Sequence, residues 1–324
     1  MPLRTTVLLV NLGTVKAPTY WATRQFLQEF LSDQRVVTIS KWLWYPILYS
    51  FILPFRSYSS AKKYQRIVFK GEMPLIRNTM SLYHKLKPII EGSYSNTKLT
   101  VAMRYGNNNI KSILDQYRSI AHHRLIVLPL FPQYSATTTA SIFDEVARCL
   151  TYWKFLPNYT FIRDYCNHPA YINALCASIQ EHWAQYGKSD QLLLSYHGLP
   201  EINHIEGDPY ACYCHKTTRL VAQALKLPYG SYQTVFQSRF GPSKWLQPYA
   251  EATIINLAQA GLNSIDIISP SFAVDCLETV DEIAHEYAAL FQEHGGRCLR
   301  YISALNAKDT AVSVMTQIIT AHLS

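Results

Sequence analysis

The sequence predicts an α/β fold made of two similar halves, each a four-stranded parallel sheet flanked by helices, with a cleft between them. Strand-like runs recur along the 324 residues, four in each half. Most are apolar and β-branched rather than alternating, as expected of parallel strands buried on both faces. The stretches between them are long enough for crossover helices.

The first run, Thr6–Asn11, leads straight into a turn at Gly13. Lys98–Met103, Arg124–Leu130 and Tyr159–Ile162 complete the first half. Gln191–Tyr196, Tyr232–Phe236, Ser264–Ile268 and Arg297–Ile302 form the second. Thr310–Leu323 is apolar at helical spacing and is expected to pack back on the first half. The expected domains are therefore 1–155, 156–305 and a C-terminal helix in 306–324.

Trp42–Phe55 breaks the pattern with fourteen uncharged residues. It is too short to span a bilayer, which takes about 20 residues. Pro46 and Pro54 are expected to interrupt a continuous helix. Lys41 precedes the segment, and Arg56, Lys62, Lys63 and Arg66 follow it. Aromatics beside basic residues suit a membrane interface. Two readings stand: an ordinary buried helix, or an exposed apolar lip with Trp44, Ile47 and Leu48 reaching toward lipid, and the lip is the expectation carried forward.

The net charge of +8 favours an acidic partner. Nucleic acid is excluded as the leading choice, because no Lys/Arg-rich run, zinc-finger spacing or RNA-binding signature occurs. Seven cysteines, an odd number without a C-x-x-C, point to a reducing compartment rather than a disulfide framework. Cys212-Tyr-Cys214-His215 lacks a common zinc spacing and reads as free thiols near a helix start. The N-terminus has no signal-peptide pattern, so a cytoplasmic location is expected.

Two segments carry chemistry. Leu194-Ser-Tyr-His-Gly-Leu-Pro200 delivers His197 at a strand end and then turns sharply. Ligands of open α/β sheets bind beyond the carboxyl ends of the strands. A histidine there can ligate a metal or move a proton. In the second segment, Ile267–Thr279, Asp275 stands where a helix begins, and Glu278 follows at capping-box spacing. Glu282 and Glu286 continue the row at i+4, placing three glutamates on one helix face. Capping explains the first turn but not the extension of the row.

Taken together, these segments resemble ferrochelatases, which insert ferrous iron into a porphyrin. The resemblance runs through Val10–Thr14, Phe30–Val36, Met103–Gly106, Leu128–Ser135, Ser195–Pro200, Gly207–Tyr210, Phe236–Pro242, Trp245–Leu246 and Asp275–Thr279. The variants are most similar to the Gram-negative bacterial branch, which uses protoporphyrin IX. The resemblance implies two Rossmann-like halves, with His197 and Glu278 as the active-site pair and metal contacts. It also implies an acidic path through Asp275, Glu282 and Glu286. Leu12, Tyr64, Arg104, Tyr105, Phe131, Trp245 and Phe272 are expected to line or adjoin the macrocycle pocket. Iron enters as substrate, with no permanently bound cofactor.

The chain also departs from the family. Ala136 stands at the mid-chain cysteine of members with an iron–sulfur cluster, and no cysteine follows Cys298, so no cluster is expected. Cys276 replaces the histidine of animal enzymes, and Glu72-Met-Pro74 replaces Gly-Ser-Pro.

The expected activity is formation of protohaem from protoporphyrin IX and ferrous iron, with peripheral contact to the inner membrane through 42–55. Alternatives are a coproporphyrin III chelatase and a non-catalytic porphyrin or haem carrier. A cobalt or nickel chelatase fits the shared segments less well. A nucleotide-binding enzyme lacks its glycine motifs.

Overall fold

A computed structural model describes residues 4–118 and 124–323. The chain divides into two compact units. Unit 1 comprises Met1–Phe131, Ser135–Asp164 and Met315–Ser324, and unit 2 comprises Pro132–Tyr134 and Tyr165–Val314.

In unit 1, β1 (Thr5–Asn11), β2 (Thr97–Met103), β3 (Arg124–Pro129) and β4 (Asn158–Phe161) form an all-parallel sheet in the order β2-β1-β3-β4. The unit boundary falls after Asp164 rather than after residue 155, because β4 pairs with β3 and so belongs to the first sheet. In unit 2, β5 (Gln191–His197), β6 (Tyr232–Gln237), β7 (Ser264–Ile268) and β8 (Cys298–Ile302) repeat the arrangement as β6-β5-β7-β8. Val7, Leu8, Leu9 and Val10 are wholly buried, as are Leu193, Leu194, Ile265 and Ile267. This follows from strands that lack a polar face.

The order in each sheet reverses beside its first strand. Such switch points open a crevice at the carboxyl ends of the two strands between which the direction changes. In unit 1 these strands are β1 and β3; in unit 2 they are β5 and β7.

The lip differs from expectation. Pro46 lies inside the helix Lys41–Ile47, a π-helical turn covers Leu48–Ile52, and the helix Leu53–Ile67 continues with Pro54 in its first turn. The prolines therefore do not end the helical path. The Leu53 N–H reaches back to the Leu48 carbonyl, and this wide turn precedes Pro54, which has no N–H to place. Trp44 and Leu48 also face inward. Leu48 is fully buried with Leu27, Leu31 and Leu53, and Trp44 Nε1 donates to the Leu31 carbonyl at 2.7 Å. The outward residues are Trp42 (90% exposed), Leu43, Ile47, Phe51 and Phe55. Among the described residues, no helix is long and apolar enough to cross a membrane.

Candidate active site

His197 is the last residue of β5, in register with Gln237 at the end of β6. Its Nδ1 lies 2.6 Å from the Gly198 carbonyl. A carbonyl can only accept, so the Nδ1 contact places a proton on Nδ1 and leaves Nε2 as the nitrogen that can accept a proton or meet a metal when the ring is neutral. The next residue must be small. A Cβ at Gly198 would sit 2.7 Å from the Gln237 carbonyl and 3.1 Å from Trp245 Cε3. Trp245 thus packs directly on the turn that carries the histidine. Phe272, beyond β7, lies 6.5 Å from the His197 ring, centroid to centroid.

Glu278 begins a π-helical segment, Glu278–Tyr287, where the sequence predicts an ordinary helix. π-turns recur at functional sites, and their i→i+5 bonding brings residues five apart together. Tyr287 Oη accordingly donates to Glu282 Oε1 at 2.9 Å. Ser238 N donates to the same oxygen at 2.8 Å. Gln237 Nε2 and Ser238 Oγ donate to Oε2 at 3.2 and 2.5 Å. Ser238 has a φ of 63°, a left-handed conformation that costs a non-glycine residue energy and that accompanies the aim of both its donors at one carboxylate. Burial pushes the Glu282 carboxyl above its usual range, against the opposing pull of Ser238, His197 and Tyr287.

Gln237 is almost wholly buried and joins these parts. Its backbone carbonyl accepts from Gly198 N at 2.7 Å. Its side-chain oxygen accepts from Ser195 Oγ at 2.7 Å, and its Nε2 also donates to the Glu278 carbonyl at 2.9 Å. The histidine turn and the glutamate helix therefore share one hydrogen-bonded frame. Gln237 and Ser238 were not singled out from the sequence, although Phe236–Pro242 is among the segments that carry the resemblance.

Asp275 does not cap the helix. Its carboxylate accepts from Tyr301 Oη at 2.6 Å, Asn306 Nδ2 at 2.6 Å, Thr279 Oγ1 at 3.1 Å and Ala304 N at 3.2 Å. Thr279 Oγ1 takes the Cys276 N–H instead. The aspartate is a buried tie between the start of the π-segment and the loop after β8. Glu286 lies half-buried further along the segment. Among the described residues, no three His, Cys, Asp or Glu side chains converge as a metal site, so the acidic row does not assemble into one. Cys212 is exposed and Cys214 buried, which separates the two thiols of that motif.

Unit 1 presents its own residues at the ends of β1 and β2. Gly13, at φ 98°, lets the turn after Leu12 press on the Arg104–Gly106 turn; a Cβ there would lie 2.1 Å from the Tyr105 carbonyl. Arg104 is paired rather than open. Nη2 meets Asp33 Oδ2 at 2.7 Å, and Nε meets Ser141 Oγ at 2.7 Å. Tyr105 Oη and Ser141 Oγ also donate to Asp33 Oδ2, at 2.7 and 2.6 Å. Burial alone would raise the Asp33 carboxyl. The hydroxyls of Ser141 and Tyr105, the Arg35 N–H and the Arg104 charge together hold it below its usual range. A cavity of about 600 Å³ borders this group, lined by Gln25, Gln28, Glu29, Tyr45 and Tyr49 as well as Arg104 and Tyr105. Tyr64 is buried on the helix after the lip, and Phe131 packs against the sheet's core.

Two doubly wound parallel sheets with chemistry at a switch point define an α/β protein of the architecture seen in solved chelatases. SirB from Bacillus subtilis, solved with Fe3+, matches with a TM-score of 0.55 at 8% identity, over 98% of this chain and 95% of its own. CbiX, described as the terminal enzyme for biosynthesis of siroheme in denitrifying bacteria, matches with a TM-score of 0.54 at 14% identity, over 98% and 100%.

Sequence relatives narrow the class, and the chain belongs to the ferrochelatase family. The ferrochelatase family model matches residues 4–323. The ferrochelatase of Aromatoleum aromaticum is 44% identical over 99% of this chain and 88% of its own length. Ferrochelatase 2 of Shewanella oneidensis is 44% identical over 98% and 97%.

Proposed function

We propose that this chain is a lyase that inserts ferrous iron into protoporphyrin IX, forming protohaem and releasing two protons at the last step of haem biosynthesis. The observation that carries the mechanism is the 2.6 Å contact between His197 Nδ1 and the Gly198 carbonyl: it calls for a proton on Nδ1 and leaves Nε2 of the neutral ring to act as the base. Metal insertion requires loss of two pyrrole protons, and a neutral imidazole accepts one directly. Glu278, held in the same frame through Gln237, supplies the second acceptor or an oxygen ligand to the incoming ion. Trp245 and Phe272 beside His197 offer aromatic surface to the macrocycle. Leu12, Arg104 and Phe131 are the proposed macrocycle contacts of unit 1, whereas the expected Tyr64 and Tyr105 are buried and are not proposed as contacts.

Two further parts belong to this reading. The exposed apolar face of 42–55, flanked by Lys41 and Arg56, makes peripheral contact with the inner membrane. The chain carries no iron–sulfur cluster, a reading supported by Ala136 at the mid-chain cysteine position; a cluster-type visible absorption band in purified protein would overturn it.

Anaerobic insertion of ferrous iron into protoporphyrin IX and coproporphyrin III, followed side by side through loss of porphyrin fluorescence, tests the substrate. Higher kcat/KM for protoporphyrin is expected. Preference for coproporphyrin, or tight binding of both without turnover, would defeat the proposal.

A further inference from the structure

The row Glu278, Glu282, Glu286 invites the idea that each glutamate hands a metal ion to the next. Glu282 does not have the surroundings of a metal station. Both of its oxygens already accept from fixed donors: Ser238 N and Tyr287 Oη on Oε1, and Gln237 Nε2 and Ser238 Oγ on Oε2. A cation at either oxygen would have to displace donors, one of which is a backbone N–H on a left-handed residue. The same donors tie the π-segment to the end of β6, and Gln237 continues that tie to Gly198.

We propose that Glu282 is a positioning residue, which clamps the Glu278-bearing π-segment to the Gln237–Ser238 turn and thereby sets Glu278 relative to His197. The clamp works through hydrogen-bond acceptance alone and binds no metal. It rests on the chelatase reading above.

Steady-state insertion of zinc and of ferrous iron into protoporphyrin IX, with Glu282→Gln and Tyr287→Phe, separates the alternatives. A glutamine cannot accept at both positions, so at least one fixed donor, Ser238 N or Gln237 Nε2, meets an amide NH2. Small displacements at a reacting centre cost up to about 10²-fold in rate. Glu282→Gln is expected to lower kcat about tenfold or more, with the metal KM within about twofold. Tyr287→Phe removes one donor and leaves the carboxylate, so kcat should fall about threefold, again at constant metal KM.

A metal station predicts the opposite split. A metal KM raised about tenfold in Glu282→Gln with kcat preserved would overturn the clamp. Wild-type kcat and KM in Tyr287→Phe would also overturn it, and this arm stands if the glutamine variant does not fold. Absence of turnover in the wild type would instead sink the chelatase reading.

Discussion

Replacing Asp33 with asparagine tests the polar hub of unit 1. The substitution keeps the shape and removes the charge. It leaves the Arg104 guanidinium, whose side chain is only 15% exposed, without its counter-ion, and weakens the bonds from Tyr105 and Ser141. Breaking a buried pair from one side costs about 3–5 kcal/mol. Residual exposure and the acceptor retained by asparagine reduce this to about 2–4 kcal/mol. A domain of this size loses roughly 2–4 °C per kcal/mol, so the unfolding transition of unit 1 should fall by roughly 4–16 °C. The acid limb should change as well. Asp33 in the folded chain sits below its ordinary value of 3.8, so its contribution is fully present above that value and is lost as pH falls through the lower folded one. The variant should therefore lose less stability than wild type as the solution is acidified below about pH 4. Differential scanning calorimetry from neutral pH to the acid limb reads both effects. Asp33→Asn combined with Arg104→Gln should cost less than the two single changes added, with a coupling of about 1–3 kcal/mol. A single variant that melts within about 1 °C of wild type at neutral pH would refute the reasoning.

Other outcomes follow from the same geometry. Asp144→Ala breaks the Arg35 pair, which is 45% exposed on both sides, and should change stability by less than about 1 kcal/mol in the same calorimeter; a larger loss would mean that exposure is a poor guide here. Gly198→Ala forces a Cβ against Gln237 and Trp245, so chelation should fall at least about tenfold while far-ultraviolet dichroism stays native; unchanged turnover would show that the turn yields freely. Serine at Trp42, Leu43 and Phe51 should abolish sedimentation with anionic liposomes, and undiminished binding would remove the lip from the account.

The central strands β1, β3, β5 and β7 were legible because each is a mostly apolar run buried along nearly its whole length, and β7 falls where the sequence places it, at Ser264–Ile268. The lip was harder to read. Its prolines mark breaks by propensity, but a π-turn absorbs Pro54, and tertiary packing rather than composition decides that Leu48 faces inward while Trp42 faces out. Asp275 has the residue type and position of a helix cap, yet its partners are Tyr301 in β8 and Asn306 in the loop beyond it, where no local rule looks. The i+4 spacing of Glu278 and Glu282 is plain in the sequence. The donors of Ser238, Gln237 and Tyr287 that occupy Glu282 depend on a left-handed backbone and a π-turn, neither of which has a composition signal. Asp33 and Ser141 show the same limit, since they meet Arg104 across long stretches of chain.

The central claim is that His197 is the base at the reaction centre, and one comparison tests it most directly. Ferrous iron insertion into protoporphyrin IX is measured anaerobically for wild type and His197→Ala, with porphyrin KM and thermal unfolding recorded for both. The account predicts turnover in the wild type and a loss of about 10²–10⁴-fold in kcat for the variant, with folding intact. Turnover within a few-fold of wild type in His197→Ala would contradict it.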